Sequence, residues 1–457
     1  APAAASRDMY LDEDGMVIPR KSLDGHLAAG IPGTVAGAYL AHEKYGKMPM
    51  EKLIAPAVQL AEKGFVITAL EAENLNESKA LFEQVNTNPP LFVREQAWKE
   101  GDTLIQKDLA QTLKRIAEKG EKEFYEGETA QLIVDEMNKG EGLITLEDLK
   151  NYKAVERKPR SFSYKGYQVE TMDLPSSGGL MLEMMLKMLS PYDLKGMGFQ
   201  SPEAINHIVE VERRAYADRA DYMGDPDFVE VPVDKLLDEA YLKSRMEAFE
   251  PGEAGNSDHI KPGIVEGEET THLSILDQYG NAVAVTTTLN TNYGSGVVVE
   301  GAGFLLNNEM DDFSAKPGVP NEYGLLGTEA NKIEPDKRPV SSMMPTIILK
   351  NDQPFMIVGT PGGSTIITSV LQSVLNVMEF DLSAEEAVNK PKFHHQWQPD
   401  VIYVEEDFDE NIREELKEMG YKLEEREAIG RTEMILVQDG EIHSAADKRG
   451  DDSAAGF

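Results

Sequence analysis

Glu269-Thr270-Thr271-His272-Leu273-Ser274 is the stretch at which the chain changes character. Upstream, residues 251–269 are rich in Gly, Pro and acid (Pro251-Gly252-Glu253-Ala254-Gly255) and read as an exposed linker. Downstream the pattern becomes strand-like. His272-Leu273-Ser274-Ile275-Leu276 and Ala282-Val283-Ala284-Val285-Thr286-Thr287-Thr288 flank Asp277-Gln278-Tyr279-Gly280-Asn281, which predicts a hairpin with glycine in its turn. A linker that delivers a threonine to the start of a strand has a chemical reading. Cut just before it, Thr270 carries a free α-amino group with a pKa near neutrality, and that amine takes the proton of its own hydroxyl. Threonine also begins many strands for no catalytic reason, so this segment alone leaves both readings open.

Further strands are predicted at Thr346–Leu349, Phe355–Val358, Met434–Val437 and Glu441–Ser444, and Ser383 with Glu386 forms a capping box. Toward the N-terminus the first 25 residues are turn-rich, and Gly30 to Gly37 leads into a helix that runs to about Tyr45. Leu53 to Lys63, Leu104 to Lys119 and Ala130 to Lys139 have apolar residues at three- and four-residue spacing, the mark of amphipathic helices. Ser201-Pro202 caps and starts a long helix with the stripe Ile205, Ile208, Val209 and Val211. A mainly helical part to about residue 250, then a strand-rich part with helices between, predicts a layered α+β or α/β sandwich.

Composition narrows the function. The chain has 457 residues and sets 45 Lys and Arg against 81 Asp and Glu, a formal net charge of −36. That charge argues against nucleic acid and anionic lipid surfaces as partners and suits a salty or exposed setting. There is no Cys, so disulfides, thiolate metal sites and Cys nucleophiles are excluded. No apolar run approaches the roughly 18 residues of a membrane span. No n-region and h-region opens the chain, so any signal peptide is expected to be removed or never present. His-Glu-x-x-His, the P-loop and Gly-x-Ser-x-Gly are all missing. His394-His395 is expected to be structural, because neighbours at i,i+1 share no helix face. Asp12-Glu13-Asp14-Gly15 lacks the later ligands of a calcium loop and reads as a solvated turn. No metal and no cofactor is expected.

Three more segments carry polar chemistry. Pro361-Gly362-Gly363-Ser364 follows the strand Met356–Gly359 and opens an apolar helix. Adjacent glycines there present bare N–H groups to a developing oxyanion, helped by the helix dipole; an ordinary strand-to-helix turn looks the same. Asn307-Asn308-Glu309-Met310-Asp311-Asp312-Phe313 follows a predicted strand, Phe304–Leu306. Glu309 and Asp312 suit the clamping of an ammonium group, or simply form a solvated acidic loop. Lys337-Arg338-Pro339-Val340-Ser341-Ser342-Met343 is a polar loop that binds an anion through hydroxyls, or a plain turn.

Taken together these segments resemble the γ-glutamyltranspeptidase family, close to its Gram-negative bacterial form. Matching stretches run along the whole chain in the family's order: Ser6 to Asp12, Gly33 to Gly37, Gly142 to Thr145, Pro175 to Gly179, Tyr216 to Arg219, Leu289 to Gly294, Leu305 to Ser314 and Arg338 to Met343. The resemblance implies an α+β fold, the four-layer αββα sandwich of the N-terminal nucleophile hydrolases. It implies a precursor that cuts itself between Glu269 and Thr270 into a large-subunit part, 1–269, and a small-subunit part, 270–457, which stay together. Thr270 is then the nucleophile, and Thr288 supports it by hydrogen bonding. Gly362 and Gly363 form the oxyanion hole. Asn290, Glu309 and Asp312 hold the substrate's α-amino group, and Ser341 and Ser342 its α-carboxylate. The segment Pro317 to Thr328, with Tyr323, matches the lid loop.

The implied reaction passes a γ-glutamyl group from glutathione, glutamine or related compounds, through a Thr ester, to water or to amino-acid and peptide amines. The implied setting is periplasmic or secreted, and salt-tolerant. Related alternatives are a glutaryl-cephalosporin acylase, a poly-γ-glutamate-processing enzyme, or an uncleaved inactive precursor. One departure stands out. The family begins upstream of Ala1-Pro2, so part of its N-terminal segment, with the Arg that pairs with the substrate α-carboxylate, has no counterpart in this chain.

Overall fold

Ser201 accepts a hydrogen bond from the Ala204 N–H, Pro202 fills the first turn, and the helix Pro202–Tyr222 follows as predicted. It is buried along almost all its length, charged residues included. The computed structural model describes residues 1–257, 270–322 and 324–456. Cα proximity divides the chain into two units: 1–157 with 288–311 and 333–337, and 158–287 with 312–332 and 338–457.

The first unit is helical, with Thr34–Tyr45, Met50–Lys63, Lys107–Lys119, Glu121–Glu126 and Glu128–Met137 among its elements. Ile116, Phe124, Ile133, Val297 and Leu306 centre its apolar core. Three expectations need correction. Leu104 belongs to a short strand paired with Phe65, so the helix starts only at Lys107. The helix from Glu128 stops at Met137, two residues before the predicted Lys139. Phe304–Leu306 forms only an isolated bridge, Val298 with Leu305, because Gly301 (φ 77°) and Gly303 (φ 76°) turn the chain too tightly for a ladder.

The second unit is built on a six-stranded antiparallel sheet. Its order is Glu441–Ala445, Glu433–Gln438, Gln353–Gly359, Thr346–Lys350, Tyr167–Thr171, Arg160–Tyr164. The last two strands lie in the part read as mainly helical. Their signal was present: Phe162 and Tyr164 alternate with Ser161 and Ser163 before a Lys165-Gly166 turn.

The predicted hairpin, Thr271–Leu276 with Ala282–Thr287, is antiparallel with Thr271 opposite Thr287 and Leu276 opposite Ala282. It packs over the strands Gln353–Gly359 and Glu433–Gln438. His272 points inward and is buried, while Leu273, Ile275, Val283 and Val285 point outward and are 51%, 44%, 43% and 42% exposed. Met356 and Val358, on the opposite parity to Gly359, join the apolar cluster of the helices Gly178–Leu189, Pro202–Tyr222 and Thr365–Met378. The capping box Ser383–Glu386 forms as expected.

Within the described start of the linker, residues 251–253 and 256 are exposed, as expected. Residues 258–269 lie outside the described residues, but Ser257 is fully buried. Its N–H donates to Asp400 at 2.8 Å, and the buried Arg213 reaches both its hydroxyl and Asp400. Gly255 N–H donates to Glu210 at 3.0 Å. Buried charges are mostly paired, and these pairs anchor Gly255 and Ser257.

Candidate active site

Thr270 stands immediately before the first hairpin strand and is buried, 8% exposed. By strand parity it faces the same side as His272. The His272 ring is held at both nitrogens, Nδ1 to Thr286 Oγ1 at 2.8 Å and Nε2 to Ser274 Oγ at 3.1 Å. Burial pushes its pKa down to about 4, so it is neutral around pH 7. Glu269, the other side of the expected cut, and Tyr323 of the expected lid lie outside the described residues.

The strand beneath the hairpin ends at Gly359 and leads into Gly362 and Gly363, ahead of the helix Thr365–Met378. Gly362 has φ +134° and Gly363 φ +51°. A Cβ on Gly362 would stand 2.5 Å from Thr365 Oγ1, so only glycine fits. Gly362 O accepts the Thr365 N–H at 2.9 Å and its hydroxyl at 2.8 Å. Both glycines are buried, and among the described residues neither of their N–H groups has an acceptor. Orphaned buried amides are rare in folded chains. Two in succession at a helix N-terminus suit a negatively charged oxygen.

The Ser341-Ser342 loop is stitched to the turn at Pro175–Ser177. Ser341 N–H donates to Pro175 O at 3.1 Å, and Ser177 N–H donates to Ser341 O at 2.8 Å. Arg219, near the end of the long helix, donates to Ser177 Oγ at 2.9 Å and to Ser342 Oγ at 3.2 Å. Asp312 closes the short 3-10 turn Glu309–Asp312, and its Oδ1 accepts from Asn321, in the segment expected to form a lid, at 3.4 Å. Thr270, Asp312, Ser341, Ser342, Gly362 and Gly363 all belong to the second unit.

Thr288, Asn290 and Glu309 belong to the first unit. Thr288 Oγ1 accepts the Asn290 N–H at 2.8 Å, and Asn290 Nδ2 donates to Asn308 O at 3.1 Å. Asn290 sits at φ +81°, a backbone region that asparagine tolerates. Glu309 N–H donates to Asn307 Oδ1 at 3.0 Å, and Asn307 is fixed in turn by Gly30. Burial raises the Glu309 carboxyl to about 7.

His394 and His395 are buried and bonded to Thr368, Gln396 and Asp400, in keeping with structural roles. Among the described residues no group of His, Asp and Glu is placed to hold a metal, and no helix is long and apolar enough to cross a membrane. Arg219, Ser177 and His272 have no separate role in the expectations from sequence. Arg219 stood only inside a matched stretch, and its contacts join residues 42 and 123 positions apart.

A buried threonine just before the first hairpin strand, and a glycine pair shortly after the strand beneath the hairpin, sit in a mixed α/β fold of the N-terminal nucleophile hydrolase type. The cephalosporin acylase of Bacillus halodurans shares the fold, with TM-score 0.84 over 99% of this chain and 82% of that one at 24% identity. The family description "Gamma-glutamyltranspeptidase" matches residues 1–457. The glutathione hydrolase proenzyme of Escherichia coli K12 is 48% identical over 464 residues, covering 100% of this chain and 80% of that protein. The γ-glutamyltranspeptidase of Helicobacter pylori is 44% identical with TM-score 0.56, over 57% of this chain and 76% of that one. The chain belongs to the γ-glutamyltranspeptidase family. It is an enzyme of γ-glutamyl transfer and hydrolysis, made as a self-processing precursor of two subunits.

Proposed function

We propose that cleavage falls between Glu269 and Thr270, dividing the chain into 1–269 and 270–457, and that Thr270 is the nucleophile. Its freed α-amine takes the hydroxyl proton as Oγ attacks the γ-carbonyl carbon of the donor. The carbonyl oxygen becomes an oxyanion and takes the N–H groups of Gly362 and Gly363. The C–N bond then breaks, the proton passes to the leaving amine, and a γ-glutamyl ester of Thr270 remains. Water or an acceptor amine attacks that ester by the reverse route. Thr288 supports the nucleophile. Asn290, Glu309 and Asp312 take the substrate's α-ammonium, Ser341 and Ser342 take its α-carboxylate, and Tyr323 belongs to the covering loop.

The donors are glutathione, glutamine and kindred γ-glutamyl compounds, and the acceptors are water, amino acids and peptides. The enzyme works in the periplasm or outside the cell and tolerates salt. The observation that supports this reading best is the pair of buried amides at Gly362 and Gly363, without an acceptor among the described residues and one loop beyond the strand that underlies the hairpin. A denaturing gel with a donor assay tests it. The wild-type chain gives two fragments and activity, Thr270→Ala gives one band and none, and Thr270→Ser keeps part of both. Cleavage at that bond in Thr270→Ala would falsify the assignment.

A further inference from the structure

We propose that Arg219 is a positioning residue: its guanidinium orients the Ser342 hydroxyl as a donor to the α-carboxylate of a γ-glutamyl substrate. The proposal rests on the reading of Ser341 and Ser342 as the carboxylate seat.

Arg219 is 6% exposed, and no described carboxylate is paired with it within 4.0 Å. Its two hydrogen-bond partners are neutral hydroxyls, Ser177 and Ser342. Burying an unneutralised guanidinium is costly, and here desolvation does lower the Arg219 pKa, with Tyr216 and Asp312 acting against the shift. A fold retains such a charge where an anion is to come.

The two hydroxyls differ in what they have left to give. A serine hydroxyl has one proton and two lone pairs. Ser177 accepts from Arg219 Nε and spends its proton on Ser341 O at 2.8 Å. Ser342 accepts from Arg219 Nη2 at 3.2 Å, and its own proton goes to no described residue. A hydroxyl that accepts from a cation is polarised and turned so that its proton points away from that cation. Ser342 therefore stands as a fixed donor backed by positive charge. The Arg219 charge is also within the field of Asp312. A zwitterionic glutamyl head completes the alternation, its ammonium on Asp312 and its carboxylate on the Ser342 side.

Lysine keeps the charge but not the fork that spans both serines. Arg219→Lys is therefore assayed with two donors, a γ-glutamyl anilide and a 4-aminobutanoyl anilide that lacks the α-carboxylate. The variant is expected to cleave itself normally and to raise KM for the γ-glutamyl donor about tenfold, the value of one charge-assisted hydrogen bond. Its kcat and its kcat/KM for the 4-aminobutanoyl donor stay at the wild-type level. Ser342→Ala shows the same selective loss, and adding Arg219→Lys to it costs nothing more.

Equal losses on both donors, or a fall confined to kcat, overturn the proposal. So does an Arg219→Lys chain that fails to give two fragments, because Arg219 is then a folding residue. If Ser342→Ala loses nothing on the γ-glutamyl donor, the carboxylate seat itself is misplaced and the proposal falls with it. If Ser342→Ala loses and Arg219→Lys does not, the seat stands and only the role of Arg219 falls.

Discussion

Gly359 lies directly against the imidazole of His272: a Cβ on Gly359 would stand 2.1 Å from His272 Cε1. The ring has no room to yield, because Thr286 and Ser274 hold both of its nitrogens. Thr270 lies two residues from His272 on the same side of the strand. Gly359→Ala is therefore expected to lift the hairpin at the end where Thr270 stands. Overpacking of this kind costs about 1–3 kcal/mol. The melting temperature should fall and self-cleavage should slow, as read by thermal unfolding and a timed gel, and His272→Ala should restore part of both. An unchanged melt and an unchanged cleavage rate would show that the contact does not set the position of Thr270.

Asp312→Ala is expected to weaken donor capture. A charge-assisted hydrogen bond contributes roughly 1.5–3 kcal/mol, or about tenfold to a hundredfold in affinity. A glutaryl donor, which lacks the α-amino group, should escape the loss. Equal losses on glutamyl and glutaryl donors would mean that Asp312 does not read the ammonium.

The Glu309 carboxyl is raised by burial from 4.5 to about 7. Between those values the folded chain binds a proton that the unfolded chain has lost. The stability it contributes is fully present below pH 4.5 and is lost as pH rises through about 7. The melting temperature of the wild type relative to Glu309→Gln should fall across that window. Donor capture should move the other way, because an ammonium prefers the carboxylate: KM should drop as pH rises through about 7 in the wild type and stay flat in Glu309→Gln. Parallel KM profiles for the two proteins would remove Glu309 from the ammonium seat.

With a net charge of −36, exposed groups repel one another. That repulsion is screened over about 10 Å at 0.1 M salt and about 3 Å at 1 M. Added NaCl should raise the melting temperature, and activity should persist at molar salt with a modest change in KM. A melting temperature that falls steadily with salt would mean that the excess acid is engaged in stabilising pairs.

The hairpin was legible because its alternation is local; the glycine pair and the acidic turn each lie within a few consecutive residues and so could be singled out, but taken alone each also read as an ordinary turn or loop. The strands Arg160–Tyr164 and Tyr167–Thr171 were hidden by helical surroundings, although they pair into the central sheet. Leu104 read as helix because one short strand pair carries too few residues to show a period. Arg219 was beyond reach for a different reason. Its meaning lies in Ser177 and Ser342, which only the fold brings to it. The raised Glu309 carboxyl is likewise a property of its surroundings, not of its neighbours in sequence.

The outward face of the hairpin sets how this chain behaves as a colloid. Leu273, Ile275, Val283 and Val285 are presented on a two-stranded sheet whose strands pair only with each other among the described residues. At low ionic strength the acidic surface holds such faces apart. Salt that calms repulsion within a molecule also removes the barrier between molecules, and apolar faces with unpaired strand edges are where they then adhere. Turbidity at high salt should scale with protein concentration and clear on dilution, well below any temperature of unfolding.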